Sequence, residues 1–388
     1  MTRILPQGPK LAMLTMMVAL AGCTQVQDSL QSANEKIHDL VGSTTSTEKS
    51  EADTPATKSP TSVSTAADAD VALAVRLMEG DGVPRDPARA VELVRPHAEA
   101  GHAEAQFLLG LAYGNGQGVD KDRDTAISWY RRAAAQDQDH AQFLLGLASL
   151  RGDGTEKDPN KAAEWFGKSA RNGNAGAQYH LALAYERGRG IEKDEAASTQ
   201  WYERAAEQGH ADAQFKTGAA YQTGRGVPKN RAWATRWFAK AALQGVAGGQ
   251  YMTGLAYAAG SGVPKDNAVA YRWFSVAANS GFNKAEPFLD RVGERLSEDR
   301  RAKEHAAAQN WKPVGAERVT GVNDSPSIAF AQHTLASLGF KPGAADGKFG
   351  PKTSGAVKAY ETAKGMPVSG AITRDLLIKL KDDPIHAS

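Results

Sequence analysis

The chain has 388 residues and an almost balanced charge, with 46 lysines and arginines against 44 aspartates and glutamates. The formal charge of +2 provides no strongly basic footprint, so the composition argues against nucleic acid as a partner. A single cysteine, Cys23, excludes an intramolecular disulfide, and stability must therefore come from the packing of the core.

The first predicted element is an export signal at the N-terminus. Arg3 and Lys10 precede an apolar stretch over residues 11–20, and a Leu-Ala-Gly-Cys sequence ends at Cys23. The apolar stretch is too short to remain as a membrane span, which needs about 20 residues. The pattern resembles a bacterial lipoprotein signal over residues 1–22. This resemblance implies cleavage before Cys23 and a membrane anchor made of acyl chains on that residue.

The residues that follow Cys23 predict a location and a tether. Thr24 stands where an aspartate would retain a lipoprotein in the inner membrane, so the family rule predicts the outer membrane, with the protein facing the periplasm. Cleavage would also remove two cations with the signal and lower the formal charge to zero. Residues 23–66 are rich in Ser, Thr, Ala and acidic residues and poor in aromatic ones, which predicts a flexible lipidated tether.

Most of the remaining chain is one unit that repeats every 36 residues without an insertion. The period is carried by a tryptophan column, a glutamine column and a pair of glycines two residues apart. The tryptophans are Trp129, Trp165, Trp201, Trp237 and Trp273. A gapless period of this length predicts a solenoid, in which each unit covers the apolar face of the next.

Each unit is predicted to contain two helices. In the second unit the first helix runs over residues 103–113, with Gly110 as a small contact residue, and the glycine pair Gly116 and Gly118 ends it. The second helix begins after an aspartate at Asp122 and its equivalents, which are predicted N-caps. Its apolar stripe has helical period and is predicted to be buried. The stripe consists of Ala126, Trp129, Tyr130, Ala133 and Ala134.

Six units fit this period, and a helical cap is predicted to follow them. The units are 67–102, 103–138, 139–174, 175–210, 211–246 and 247–282. The first unit has Asp70 in the glutamine column and Leu93 in the tryptophan column, which is typical of a terminal repeat. Residues 283–312 keep helical patterns without the repeat motif, so they are predicted to cover the C-terminal end of the solenoid.

The assembled motif A-x-A-Q-[FY]…G-x-x-Y…G-x-G-[VI]…K-D…A-x-x-W-[YF]-x-x-A-A resembles the Sel-one-like repeat family, a relative of the tetratricopeptide repeats. The resemblance covers residues 67 to about 310 and implies a right-handed α-solenoid of helix pairs that holds protein partners. It implies no catalysis. Tetratricopeptide repeats proper step by about 34 residues, so the observed period argues against them.

Two columns of the first helices vary freely between units, as a ligand-facing surface would. If these helices line the concave face, as the family implies, the varying residues contact a partner, here an envelope protein. The candidate groove residues are Glu104, Leu108, His140, Leu144, His180, Asp212, Lys216 and Met252. Simple solvent exposure is an equally open explanation, because repeat surfaces drift wherever packing does not determine them.

The C-terminal region changes character after the repeats. Residues 313–323 show no clear period and are predicted to form a linker. Helices are then predicted over residues 327–338 and 354–364, and a third short helix is predicted to end near Leu380. Between the first two helices, the Asp-Gly pair at Asp346 predicts a turn.

The motif of residues 324–381 resembles the bacterial peptidoglycan-binding domain, which has a three-helix fold. The matching positions include Gln332, Leu335, Gly339, Phe340, Asp346, Gly347, Phe349, Gly350, Thr353, Tyr360, Gly365 and Gly370. Leu335 and Phe349 are predicted to fill the small core. The resemblance implies peptidoglycan as the ligand. The candidate contact residues are Phe340, Lys341, Asp346, Lys348, Phe349, Lys352, Tyr360 and Glu361, the last of which stands where the family often carries a glutamine.

Catalytic motifs and metal-ligand spacings are absent or out of context, so the chain is predicted to be non-enzymatic, without metal or cofactor. The combined reading is an all-α outer-membrane lipoprotein that binds peptidoglycan through its C-terminal domain and recruits envelope proteins through its solenoid. Two alternatives stay open. One is a murein hydrolase or an activator of wall remodelling, and the other is a surface lipoprotein whose repeats bind a host protein.

Overall fold

The structure is a computed structural model that describes residues 66–320 and 322–383. The described residues form α-helices and 3-10 helices and contain no strands. Most of the helices follow one another in pairs, which confirms the predicted fold class. The predicted signal peptide, Cys23 and nearly all of the tether lie outside the described residues and stay predictions. None of the helices in the described part is both long enough and apolar enough to cross a membrane.

The repeat region consists of helices that follow one another in pairs. They are α1 (Ala66–Glu79), α2 (Pro87–Glu99), α3 (Ala103–Asn115), α4 (Arg123–Ala134), α5 (Asp139–Arg151), α6 (Pro159–Arg171), α7 (Ala175–Arg187), α8 (Glu195–Glu207), α9 (Ala211–Thr223), α10 (Arg231–Leu243), α11 (Ala247–Ala259) and α12 (Asn267–Asn279). The chain forms two compact units, which divide between Ala177 and Gln178.

The second helix of each pair begins at a polar cap. The Oδ1 atom of Asp122 accepts the N–H of Thr125 at 3.0 Å, which satisfies one of the free donors of the first turn. The equivalent caps are Asp86, Asp158, Asp194, Asn230 and Asp266. The predicted aspartate caps are therefore confirmed, and an asparagine takes their place in the fifth pair.

The two glycines after each first helix have different roles, which α3 illustrates. Gly116 has the left-handed conformation, with φ 71° and ψ 42°, and its N–H donates to the carbonyl oxygen of Ala112. A Cβ atom at Gly118 would lie 2.3 Å from the carbonyl oxygen of Pro87. The first glycine therefore ends the helix, and the second lets the turn pack against the start of α2.

Within a pair the helices touch where a glycine faces an aromatic ring. A Cβ atom at Gly110 would lie 2.6 Å from the Cε1 atom of Tyr130, so the two helices approach as closely as predicted. Gly146, Gly218 and Gly254 meet the rings of their own pairs in the same way. The close glycine–ring contact is thus present in four of the six pairs, and Ala74 and Ala182 occupy the same column in the other two.

The predicted apolar stripe of α4 is buried except for its tryptophan. The buried members are Ala126, Tyr130, Ala133 and Ala134. Trp129 is only half-buried, which corrects the expectation that the whole stripe is interior. Its ring lies at the edge of the stripe, and the guanidinium carbon of Arg132, one turn further on, stands 4.4 Å from the ring centroid.

Two α-helices follow the repeats. A short 3-10 helix (Asn283–Ala285) leads into α13 (Glu286–Gly293) and α14 (Glu298–Gln309). Glu304 of α14 is fully buried and accepts from Arg272 of α12, and its other oxygen lies 3.0 Å from the Nε atom of Arg300. This charged contact ties α14 to the last repeat.

The segment predicted to be a linker is packed against the repeats. The N–H of Val314 donates to the carbonyl oxygen of Leu243 at 2.9 Å, and a 3-10 helix (Ala316–Arg318) follows. Val319 is fully buried, and its carbonyl oxygen accepts the Nζ atom of Lys240 at 2.8 Å. This segment is therefore held along α10.

Three helices complete the chain: α15 (Ser325–Ser337), α16 (Pro351–Ala363) and α17 (Arg374–Asp382). Their shared core contains Phe330, Leu335, Val357, Tyr360, Leu376, Leu377 and Leu380. Leu335 is buried as predicted, but Phe349 is 46% exposed, which corrects its assignment to the core. The ring of Phe330 is buried in this core.

Candidate functional site

A single buried side chain organises the turn that precedes α16. The Nε2 atom of Gln332 donates to the carbonyl oxygen of Lys348 and to the Oγ1 atom of Thr353, each at 3.0 Å. Its Oε1 atom accepts the N–H of Gly347 at 3.0 Å. The buried amide of Gln332 is thus satisfied inside the turn, and the side chains of Lys348 and Phe349 on that turn are exposed.

Four candidate peptidoglycan contacts are exposed at this turn and at the loop beside it. The Oγ1 atom of Thr353 donates to the carbonyl oxygen of Pro342 at 3.1 Å, which holds the loop after α15 against the start of α16. A Cβ atom at Gly343 would lie 3.5 Å from the Cδ atom of Lys352. The structure therefore brings together a basic face made of Lys341, Lys348, Phe349 and Lys352, all exposed.

Two further candidates, Phe340 and Asp346, support this face. Phe340 is half-buried, and its ring centroid lies 5.5 Å from that of Tyr360. The Oδ1 atom of Asp346 accepts the N–H of Lys348 at 3.0 Å, and this bond lowers the pKa of the Asp346 carboxyl. Asp346 is therefore an ionised part of the turn.

Tyr360 and Glu361 have no exposed surface for a ligand, which corrects their placement among the contact residues. Tyr360 is fully buried, and its hydroxyl donates to the carboxylate of Asp383. Glu361 is 1% exposed and accepts the N–H groups of Ser369 and Gly370, each at 2.8 Å. Both side chains serve the fold, and Glu361 fixes the turn that leads to α17.

The three-helix domain is docked on the fifth repeat through an apolar contact that the sequence did not predict. The ring centroid of Trp233 in α10 lies 4.9 Å from that of Phe330 in α15, with the planes 71° apart. Trp237, the member of the tryptophan column in this repeat, is 1% exposed. Edge-to-face contact between buried rings contributes beyond the area that it removes from water.

Polar contacts surround this apolar centre. The Nε atom of Arg236 donates to the Oγ atom of Ser327 at 2.9 Å, and the Nζ atom of Lys240 lies 2.6 Å from the Oδ2 atom of Asp324. At the rim, Arg374 of α17 pairs with Glu207 of α8 at 2.8 Å. None of the residues of the basic face takes part, so docking leaves that face exposed.

Burial at the docked surface disfavours the charged, protonated form of its two basic side chains. It lowers the pKa of Arg236 to about 10. Burial and the neighbouring Arg236 lower the pKa of Lys240 to about 8, against the opposing attraction of Asp324. The single carboxylate of Asp324 is therefore the main compensation for two buried positive charges.

The repeat register contained a signal for this docking surface. Trp233 occupies a column that holds Thr125, Lys161, Ala197 and Val269 in other repeats. Only the fifth repeat has a large aromatic residue in this column. Such a residue indicates that another part of the protein covers the surface of that repeat. The covering domain, however, lies far along the chain and could not be identified from this column.

The candidate groove residues do not form one accessible surface. Leu108, His140 and His180 are buried, so packing does constrain these positions, and they are corrected here as poor candidates for contact with a partner. Glu104, Leu144, Lys216 and Met252 are half-buried, and only Asp212 is exposed. Two of the half-buried residues are engaged inside the chain, because Glu104 accepts from Gln138 and Lys216 pairs with Glu186.

Within the described residues, no group of three His, Cys, Asp or Glu side chains is arranged to hold a metal ion.

Among solved structures, the chain is similar to a protective antigen present in uropathogenic Escherichia coli strains, with 25% identity and a TM-score of 0.56. The similarity covers 81% of this chain and 68% of that chain. A Sel1 repeat protein from Oxalobacter formigenes is 29% identical, with a TM-score of 0.47, over 54% of this chain and 84% of that chain. No curated protein sequence matches the chain.

Two family profiles match the sequence. The peptidoglycan binding domain profile matches residues 324–380, the region of α15 to α17. The Sel1 repeat profile matches six times in succession, over residues 67–102, 103–138, 139–174, 175–210, 211–246 and 247–282. Because these six matches span more than half of the sequence and coincide with helix pairs, the chain belongs to the Sel1 repeat family and carries a C-terminal peptidoglycan-binding domain.

Proposed function

We propose that the protein is a lipid-anchored scaffold of the outer membrane that faces the periplasm, binds peptidoglycan and recruits an envelope protein through its repeats. The two matched families support a general binding role, with the wall as one partner and a protein as the other. The anchor is supported by the lipoprotein-like sequence that ends at Cys23. The repeats recruit the third component, with exposed Asp212 as the accessible candidate contact.

The observation that carries wall binding is the exposure of the basic face while the domain is docked. Lys341, Lys348 and Lys352 stay available to carboxylates of wall peptides, and Phe349 offers an exposed aromatic ring to the apolar face of a sugar. Single exposed ion pairs are worth only about 0–1 kcal/mol each, so the lysines act together with the ring.

Co-sedimentation with purified sacculi tests this proposal. The wild-type chain from Thr24 onward is compared with a double variant, Lys348→Gln with Phe349→Ala, which removes one charge and one ring from the basic face. The matched control is Ile378→Ala with Lys379→Gln, because this pair removes one exposed apolar side chain and one lysine of α17 outside that face. Deleting the whole domain is unsuitable, since it would uncover Trp233 and Lys240.

We expect the first double variant to lose most sedimentation and the control to keep it, with both melting at the wild-type temperature. Equal sedimentation of both variants would contradict wall binding through this face. Recruitment is tested with a photo-crosslinker at exposed Asp212 and, as a control, at exposed Glu164 of α6. The proposal expects a discrete envelope protein to be captured from Asp212 and not from Glu164.

One observation favours a second candidate function. The similar Escherichia coli protein is described as a protective antigen, and this description favours a surface lipoprotein whose repeats bind a host protein. Protease treatment of intact cells separates the two candidates. A chain that faces the periplasm resists digestion until the outer membrane is opened, whereas a surface protein is digested at once.

A further inference from the structure

Helix α15 is a physical link between the fifth repeat and the turn that carries the basic face. It packs more extensively against α10 of that repeat than against α16 or α17 of its own domain. Phe330 and Gln332 are two residues apart in α15, which places them on nearly opposite sides of the helix. Phe330 contacts Trp233 of the repeat, whereas Gln332 holds the turn before α16. A shift of α15 on the repeat would therefore move the side chain that braces the turn.

The start of α15 is contacted from both directions. On one side, the Nζ atom of Lys240 in the repeat lies 2.6 Å from the Oδ2 atom of Asp324, the residue that caps the helix. On the other side, a Cβ atom at Gly347 would lie 2.8 Å from the carbonyl oxygen of Ser325. Only a residue without a side chain allows this close approach, so the turn rests directly on the helix that the repeat holds.

The fifth repeat orients its own side of the contact. The Nε1 atom of Trp233 donates to the Oε1 atom of Glu203 in α8 at 3.2 Å. The guanidinium carbon of Arg236 lies 4.3 Å from the ring centroid of Trp233 and 4.5 Å from that of Trp237. A buried cation is attracted to aromatic faces more strongly than an exposed one. The repeat therefore presents α15 with a surface whose aromatic rings are already held in place.

We propose that the fifth repeat positions the turn before α16 through α15, so that the basic face binds peptidoglycan tightly only while the domain is docked. Trp233 and Lys240 are positioning residues, because they contact α15 and Asp324 and not the wall. The basic face binds through several weak contacts, so its affinity depends on how firmly the turn is held in one arrangement. The inference rests on the proposed wall binding by that face. Its consequence is that a chain attached to the wall holds its repeats in a fixed orientation.

The test uses the full chain from Thr24 and a variant that undocks the domain, Trp233→Ala with Lys240→Glu. The first change removes the ring that contacts α15, and the second places a carboxylate against Asp324. The fourth repeat has Ala197 in the column of Trp233, so the altered repeat should keep its fold. Undocking is verified by faster exchange of the indole N–H of Trp237, which is buried in the docked protein.

Two further variants serve as references. Arg204→Glu with Val269→Ala makes the same two kinds of change in the same columns of the fourth and sixth repeats. Trp233→Phe keeps an aromatic ring against Phe330 and is the conservative variant that should preserve docking. Both are expected to match the wild-type chain in exchange and in wall binding.

The first measurement is site-resolved amide hydrogen exchange without any wall ligand. The N–H of Gly347 donates to Gln332 and reports on the turn, whereas the N–H of Leu377 donates to the carbonyl oxygen of Thr373 and reports on the core of the domain. In the undocked variant, we expect the exchange of Gly347 to accelerate at least about tenfold more than that of Leu377. Equal acceleration would mean that undocking loosens the whole domain, and it would overturn a positioning role.

The second measurement is co-sedimentation with purified sacculi. We expect the undocked variant to bind about tenfold more weakly than the wild-type chain, and the two reference variants to bind as the wild type does. Equal binding by the undocked variant would overturn the positioning role and leave wall binding intact. A wild-type chain that does not sediment would instead contradict wall binding itself, and this inference with it. Unchanged exchange of Trp237 would show that the docked contact does not depend on these residues, which also overturns the proposal.

Discussion

The Nζ atom of Lys240 and the Oδ2 atom of Asp324 lie 2.6 Å apart, with the side chains 1% and 2% exposed. One residue belongs to the fifth repeat and the other begins the peptidoglycan-binding domain. Removing one partner of a buried ion pair leaves an uncompensated charge, which is far more costly than removing both. This contact therefore makes the domain and the repeat a single energetic unit.

Asp324→Asn is expected to lower the free energy of unfolding by about 3 kcal/mol, because it leaves Lys240 buried without its counter-charge. Asparagine still accepts the N–H of Ser327, so the helix cap is kept. The double variant with Lys240→Met should recover most of the loss. Urea denaturation measures both, and a double variant no better than the single one would speak against this account.

His210 predicts a pH dependence of stability. Its Nδ1 atom accepts the N–H of Ala213 at 3.3 Å, and its ring stacks on Tyr179 with the centroids 4.5 Å apart. Burial lowers the pKa of His210 from 6.5 to about 4. The folded state binds the proton less readily than the unfolded state, so stability is full above pH 6.5 and falls as the pH drops toward 4.

The loss assigned to His210 reaches up to about 3 kcal/mol at the acid end of this window. Asn174 caps the equivalent helix of an earlier repeat, so His210→Asn should keep the cap and remove this part of the pH dependence. The test compares urea midpoints of the two proteins at pH 7.5 and pH 5. Equal acid sensitivity in both would show that His210 is not responsible.

Val246 offers a gain of stability. It occupies the N-cap position of α11 without a side-chain hydrogen bond, whereas His210 and Gln138 cap the equivalent helices. Val246→Asn should raise the free energy of unfolding by about 1 kcal/mol, since it supplies the missing acceptor. Val246→Ala is the control that changes size without adding a cap, and thermal melting should separate the two variants.

Gly146 predicts a strong penalty for one added methyl group. A Cβ atom there would lie 2.6 Å from the ring of Phe166, so Gly146→Ala should destabilise the protein by about 1–3 kcal/mol. Gly355→Ala in α16 is the control, because a Cβ atom there meets nothing within 4 Å. The control should be neutral or slightly stabilising by helix propensity. Calorimetry that showed equal effects would refute the packing argument.

Local features of the fold were predictable because they depend on residues close in sequence. The cap at Asp122 and the left-handed glycine at Gly116 each act within one helical turn, so the residue type alone indicates the structure. Features that depend on distant partners were not predictable. Phe349 was placed in the core because of its apolar side chain, and its exposure follows from Gln332, which braces the turn from another helix.

The candidate site likewise has features that were predictable from the sequence and features that were not. The lysines of the basic face were identified from the sequence, and charged side chains on a turn are normally exposed. The burial of Tyr360 and Glu361 depends on which side of α16 meets the other helices, and the motif does not record this.

The tryptophan column shows which features the sequence determined and which depended on the tertiary structure. The sequence by itself determined the period, the helix pairs and their caps, because a repeated unit can bury its apolar face only against its neighbours. The tryptophan column alone could not distinguish Trp129 from Trp237, which occupy the same position of the repeat, although Trp233 sets the fifth repeat apart. Trp129 is half-buried, whereas Trp237 is 1% exposed. The difference arises because the tertiary structure packs α15 against α10 and excludes water from the tryptophan of that repeat alone.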